Sequence, residues 1–311
     1  MFKNKFINNK IVGLNISNET DNLVSVILGI ADEMGKKPDI DECIDPKTKY
    51  HIINNTYPKE EDCKKEIEKF NEILFKNGVE VLRPNSIPGL DQIFTRDIAF
   101  VVENKIFIPE IIESRNREKD GIKYFLDNLD GNEKVIIPKE IKIEGGDIII
   151  HNEFIFIGYS VNTSFKVSRT SVESIEFIQK YFPDKKVMGF ELHKNDNDPY
   201  ESILHLDCAM QPVGKKHIII HEEGFKNHSD LDTLKKIFGE NNMIKIDRTE
   251  MFEGYSNIFS INSEMVVSDS TFMRLNKKLK EINIKVEEVY YREISKFGGL
   301  FRCSTLPINR I

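Results

Sequence analysis

The chain has 311 residues, enough for one large domain or two ordinary ones with a sizeable core. Its 40% hydrophobic and 31% charged content is that of a globular protein, and its net charge of −7 argues against a nucleic-acid binder while suiting a cationic small substrate. No apolar run reaches the roughly 18 residues that span a bilayer, residues 1–10 carry no apolar core of a secretory signal, and Cys43, Cys63, Cys208 and Cys303 lack metal-type spacing, so a cytoplasmic protein with free thiols is expected.

In chain order, the first predicted strand is LVSVILG at residues 23–29. Residues 32–59 lack clear periodicity and are expected to cover a pocket. A helix over residues 60–77 and the strand VEVLRP at 79–84 follow. Four further units share one layout: a polar lead-in, two short strands, a helix and a third strand. The first runs from Thr95-Arg96-Asp97 through IAFVV and IFIP, a helix at 120–129, and KVIIP. The second runs from Gly145-Gly146-Asp147 through III and FIFIGY, a helix at 171–181, and VMGFEL. The third runs from His205-Leu206-Asp207 through CAMQPV and HIIIH, a helix at 230–238, and MIKI. The fourth runs from Tyr255-Ser256-Asn257 through IFSI and MVVS, a helix at 271–282, and IKVEEVYY. Short β-branched and aromatic runs between turn residues mark the strands. Apolar residues three and four apart, such as Phe272, Leu275, Leu279 and Ile282, mark the helices. A closing strand over residues 302–306 completes the set.

Asp97, Asp147, Asp207 and Asn257 open the four hairpins, 50, 60 and 50 residues apart. The expected fold class is therefore α/β, one domain over residues 1–311 made of ββαβ repeats. In a ring of such units the strand starts converge on a central pocket. The polar loop KNDNDPY at 194–200 is an ordinary surface loop or a lid.

Cys303 follows paired glycines in GGLFRCST, which permit close backbone approach to a thiol. Arg302 adjoins it and could lower its pKa, although neighbouring strand residues face opposite sides. His205 and Asp207 sit two apart on an expected strand and would point the same way. Glu144 and Asp147 flank Gly145-Gly146. Of Arg96 and Asp97, Asp97 keeps the register of Asp147 and Asp207. Each has a plain alternative: a buried small hydrophobe for Cys303, a solvated strand face for His205 and Asp207, an exposed turn for Glu144 and Asp147. Taken together, one thiol, one imidazole and several carboxylates suit a bound cation attacked by sulfur. A magnesium or calcium site, or a two-carboxylate glycosidase, would leave the thiol idle.

FTRD (94–97), EGGD (144–147), HLD (205–207) and GGLFRCSTLPI (298–308) resemble, in order, the motifs of the guanidino-group-modifying (pentein) superfamily. This superfamily includes arginine deiminases, dimethylarginine hydrolases and glycine amidinotransferases. The opening NETDNLVSVILG (18–29) is similar to the start of amidinotransferases. The resemblance covers nearly the whole chain. It implies a five-bladed α/β propeller, with Cys303 as nucleophile and His205 as general acid/base beside Glu144. Asp97 and Asp207 would grip the guanidinium, with Asp147, Asn257 and Arg302 also near the substrate. Arg169 resembles the deiminase arginine that binds an α-carboxylate. Arg302 stands where a histidine often precedes the nucleophile. A second deiminase arginine is missing, and Lys296 is the nearest cation. The implied reaction is amidino transfer from arginine or a relative to an amine through an amidino-Cys303 intermediate. Hydrolysis of the deiminase type is the alternative, and an inactive binding propeller a remote one. No metal or organic cofactor is implied. The implied partners are a small guanidino substrate, an amine acceptor and other copies of the chain in a homo-oligomer, with no nucleic acid or membrane.

Overall fold

The structure is a computed structural model and describes residues 13–311. The reading of residues 1–10 lies outside these. The fold is α/β, with five three-stranded sheets. Four follow chain order: Phe100–Val102, Lys105–Ile108 and Lys134–Ile136; Ile148–His151, Phe154–Tyr159 and Lys186–Glu191; Met210–Val213, His217–Ile220 and Met243–Lys245; Phe259–Asn262, Met265–Asp269 and Lys285–Val289. In each, the first two strands form an antiparallel hairpin and the third joins parallel to the middle one. The fifth sheet is assembled from both ends of the chain. Its middle strand Leu23–Leu28 pairs antiparallel with Thr305–Arg310 and parallel with Glu80–Leu82.

Parallel pairing needs a crossover, and a helix supplies it each time. Glu60–Lys76 shows why such helices form here. Cys63, Glu66, Ile67, Phe70 and Leu74 are buried at three- and four-residue spacing, and three acidic residues occupy the first turn, where the helix dipole favours them. Gly78, at φ 77°, then turns the chain. Three hairpins turn through residues with positive φ: Glu103, Asn152 and Gly214, at 51°, 53° and 62°. Alternation along Leu23–Leu28 splits the core in two. Val26 joins the larger apolar cluster and Ile27 the other.

Several expected elements differ. The helix expected at 120–129 is a 3-10 segment, Glu113–Ile122, with one α-helical turn, Lys123–Leu126. The run ESRNREKD has no apolar stripe to hold an α-helix, and Arg115 and Glu118 turn inward instead. The closing strand begins at Thr305, because residues 301–304 form a turn. The hairpins start from short helical turns rather than strands: Thr95–Ile98, Gly145–Asp147 and Leu206–Cys208. These turns pack on one another through glycine. A Cβ on Gly145 would lie 2.1 Å from the Arg96 carbonyl oxygen, and one on Gly146 would lie 2.6 Å from the His205 ring. Residues 32–59 contain an α-helix, Pro46–Ile53, capped by Asp45. No helix among the described residues is long and apolar enough to cross a membrane.

Candidate active site

Cys303 lies in the turn before the last strand and is 3% exposed. The Asn257 side-chain amide donates to its Sγ at 3.1 Å, and the Asn257 Oδ1 accepts from the backbone N–H groups of Leu300 and Cys303. The thiol points at Asp207 Oδ2, 3.6 Å away. A Cβ on Gly299 would fall 3.0 Å from Sγ, so only glycine leaves the sulfur this room. Burial, with Asp207, Cys208 and Asp97 adding to it, pushes the thiol well above its ordinary range, against the Asn257 hydrogen bond.

His205, 1% exposed, sits between two carboxylates. Its Nε2 is 2.9 Å from Glu144 Oε2 and its Nδ1 is 3.7 Å from Asp97 Oδ1. Burial alone would lower its pKa, but Asp97, Asp147 and Glu144 outweigh burial and raise it to about 9. Glu144 is buried too, yet the Arg169 guanidinium, 3.3 Å away, and His205 hold it below the usual carboxylate range. Arg115 donates to Asp97 Oδ2 at 2.7 Å and forks onto Glu118. The other oxygen of Asp97 is buried without a hydrogen-bond partner, as is His205 Nδ1.

A cavity of about 720 Å³ opens above these groups. Cys303, His205, Asp97 and Arg169 line it. The other expected residues are close by but do not line it. Glu144 stands behind His205. Asp147 accepts from the Leu206 N–H at 2.8 Å and braces the turn carrying His205 and Asp207. Asn257 and Asp207 sit beneath the thiol. Arg302 was expected near the substrate, and here the geometry differs. Its guanidinium is fully buried against Glu19, Asp207 and the Ile148 carbonyl. Lys296 pairs with Glu293 and also stays out. His205 and Asp207 do not share a strand face: the 3-10 turn sends one into the cavity and the other below it.

Sequence reasoning missed Arg115, Glu118 and Asp91, all lining the cavity. ESRNREKD carried no signal beyond polarity, and Asp91 lies in a coil next to a motif. Residues 32–59 do form one wall, through Gly35, Glu42, Asp45 and Tyr57 among others. The 194–200 loop does not cover the cavity; Lys194 donates inward to the Leu204 carbonyl, and the Tyr200 ring stacks on Phe252 at 4.0 Å.

Donor atoms of Asp97, Glu144 and His205 lie within 4.8 Å of one another, close enough to hold a metal ion. Each carboxylate already faces an arginine, however: Asp97 pairs with Arg115 and Glu144 with Arg169. That charge balance suits a metal poorly.

Comparison with known proteins places the chain. Residues 45–310 match the family described as N,N dimethylarginine dimethylhydrolase, eukaryotic. The chain belongs to this family, within the guanidino-group-modifying (pentein) superfamily. Relatives of this family member include the uncharacterized protein YkgA of Bacillus subtilis (strain 168), 28% identical over 268 residues, covering 83% of this chain and 87% of that protein. The arginine deiminase of Bacillus cytotoxicus is 28% identical over 257 residues, 70% of this chain; the chain spans 61% of that protein's length. In fold it is similar to the product-bound N-terminal domain of ArgZ, a cyanobacterial arginine dihydrolase, with TM-score 0.76, 19% identity, and 93% and 98% of the two chains covered. It is also similar to SxtG, an amidinotransferase from Microseira wollei, with TM-score 0.72, 19% identity, and 96% and 97% covered.

Proposed function

We propose that the protein is a cysteine-dependent hydrolase of a guanidino compound, arginine or an N-substituted arginine, working through a covalent intermediate on Cys303. The observation that carries this reading is one cavity lined by the Cys303 thiol, an imidazole held protonated and a carboxylate oxygen without a partner. A single domain with the five sheets as propeller blades around this cavity is the arrangement we propose, supported by the fold likeness to the ArgZ domain. Four free cysteines support a reducing compartment such as the cytoplasm.

A guanidinium is planar, resonance-stabilised and a poor electrophile. Asp97 Oδ1 would pair with its N–H fork and fix the carbon over Sγ. The substrate's positive charge, brought beside a buried thiol, favours the thiolate, which adds to the guanidinium carbon. His205, protonated, gives its proton to the departing amine as the C–N bond breaks. The resulting S-linked thiouronium is a cation held by the same Asp97 carboxylate. His205, now neutral, takes a proton from water, and the hydroxide adds to the carbon. Collapse releases a urea product, such as citrulline, returns the thiolate and passes the hydroxyl proton to the departed amine.

Amidino transfer to an amine is the second reading. The cavity, at about 720 Å³, lies in the upper half of the usual range for ligand sites and has room for an acceptor. The amidinotransferase-like opening no longer favours it. Glu19 bonds to Arg302, Asn18 to Asn152 and the Asp21 carbonyl to Arg310, so these residues brace the fold and do not line the cavity. The test is incubation with arginine and N,N-dimethylarginine, with and without added amines. Citrulline with ammonia or dimethylamine, unaffected by the amine, is expected. Amine-dependent release of ornithine would overturn hydrolysis in favour of transfer.

Arg169 would bind the α-carboxylate. Arg169→Ala is expected to raise KM for arginine by about 10- to 100-fold, the loss of one charge-assisted pair. Agmatine, which lacks the carboxylate, is expected to show little change in KM. An equal loss with both substrates would mean that Arg169 acts only through Glu144.

The pH dependence follows from His205. Its pKa is raised, so the acid form is present below about 9 and is lost above it. Activity, kcat/KM, is expected to fall above that pH, and Glu144→Gln to move the fall to lower pH. The same group contributes stability that is complete below 6.5 and lost as pH rises through about 9. An alkaline limb unmoved in Glu144→Gln would contradict the assignment.

A further inference from the structure

The Arg302 guanidinium has no exposed surface and makes four hydrogen bonds to other groups: Nε and Nη2 to Glu19, Nη2 also to the Ile148 carbonyl at 2.7 Å, and Nη1 to Asp207 Oδ2 at 2.8 Å. With five N–H donors, a guanidinium so engaged has little left for a substrate. Asp207 Oδ2 is also the atom that faces the Cys303 thiol, at 3.6 Å, while Oδ1 faces the Cys208 thiol at the same distance. One oxygen thus joins Arg302 to the sulfur. A thiolate at Cys303 would stand directly against this carboxylate, and like charges at such range in a buried site disfavour ionisation. The arginine on the same oxygen offsets that repulsion. Glu19 fixes the far side of the fork.

We infer that Arg302 is a positioning residue that holds and neutralises Asp207 so that Cys303 can ionise, and that it does not touch the substrate. The other groups around the thiol are Asp97 and Cys208, which oppose ionisation, and Asn257, which donates to the sulfur. His205, Arg115 and Arg169 line the same cavity. The charge that Arg302 supplies comes from beneath, where no substrate displaces it. A histidine at that position would change its charge near neutral pH; an arginine does not.

The inference rests on Cys303 as nucleophile only for its consequence in turnover, because alkylation reads the thiol directly. The rate at which iodoacetamide modifies Cys303, followed by mass spectrometry of its peptide across pH, gives the thiol's ionisation. Arg302→Met is expected to slow alkylation at about pH 8 by about tenfold, equivalent to a rise of about one unit in the apparent pKa. Adding Asp207→Asn is expected to restore the parent rate. Glu19→Gln alone, which leaves the Arg302–Asp207 pair in place and removes a negative charge, is expected not to slow alkylation. Asp207→Asn alone, with Arg302 retained, is expected to speed alkylation, and serves if Arg302→Met fails to fold by circular dichroism. An unchanged rate in Arg302→Met, no recovery in the double variant, or no acceleration in Asp207→Asn alone would overturn the inference. Normal turnover in Cys303→Ala would instead refute the nucleophile while leaving these rates meaningful.

Discussion

Cys303→Ala is expected to fold normally and to lose turnover of the guanidino substrate by about 10⁴-fold or more. The residue sits in a turn whose backbone is held by groups other than its sulfur. Its N–H reaches Asn257 Oδ1, and its carbonyl accepts from the Arg96 N–H at 3.1 Å. Alanine keeps both bonds and removes one buried atom, a change that costs about 1 kcal/mol in a well-packed site. The sulfur has a different importance for the reaction. Of the other groups lining the cavity, the Cys43 thiol donates to the Asp39 carbonyl, His205 is protonated, and Asp97 is paired with Arg115. Water attacking a resonance-stabilised guanidinium directly is slow, so little background should survive. A melting temperature lowered by no more than about 4 °C, with lost turnover, is the expected pair of results. Turnover within tenfold of the parent would remove Cys303 from the mechanism.

His205→Asn is expected to lower kcat by about 10²- to 10⁴-fold, the usual worth of one placed acid/base. The imidazole lines the cavity beside Asp97 and is placed to give a proton to a leaving amine and then take one from water. Glu144 and Asp97 keep it charged until the amine needs the proton. Asparagine is shorter: its amide takes the place of Nδ1, on the Asp97 side, and Glu144 remains paired with Arg169. The fold is therefore expected to survive, and the alkaline fall in activity near pH 9 to disappear with the group that causes it. A kcat within a few-fold of the parent, with the alkaline limb intact, would assign the proton transfer elsewhere.

Much of this was legible in the sequence because repeats leave a periodic trace. Runs such as FIFIGY and HIII form largely buried strands here, and the regular positions of Asp97, Asp147, Asp207 and Asn257 marked the starts of equivalent hairpins. The side on which each residue would lie was less legible. Asp97, Asp147 and Asp207 sit on helical turns, and a helical turn does not obey the two-residue alternation of a strand. That is why His205 reaches the cavity while Asp207 lies under the thiol. Arg302 was misread for a related reason. A strand over residues 302–306 would face it sideways, but residues 301–304 form a turn that drives its guanidinium into the interior. Arg115 and the 32–59 wall were hidden because polar coil carries no period. Only packing against Asp97 and Glu118 gives Arg115 its place.

The most direct test of the account is to quench the enzyme in acid during turnover and locate any covalent adduct by peptide mass spectrometry. An acid-stable thiouronium is expected on the peptide containing Cys303 and on no other cysteine. For deimination of arginine its mass is that of the whole substrate less ammonia; for amidino transfer it is the amidino group alone. An unmodified Cys303 peptide at a time when product is forming at its full rate, or an adduct on Cys208 in its place, would contradict it.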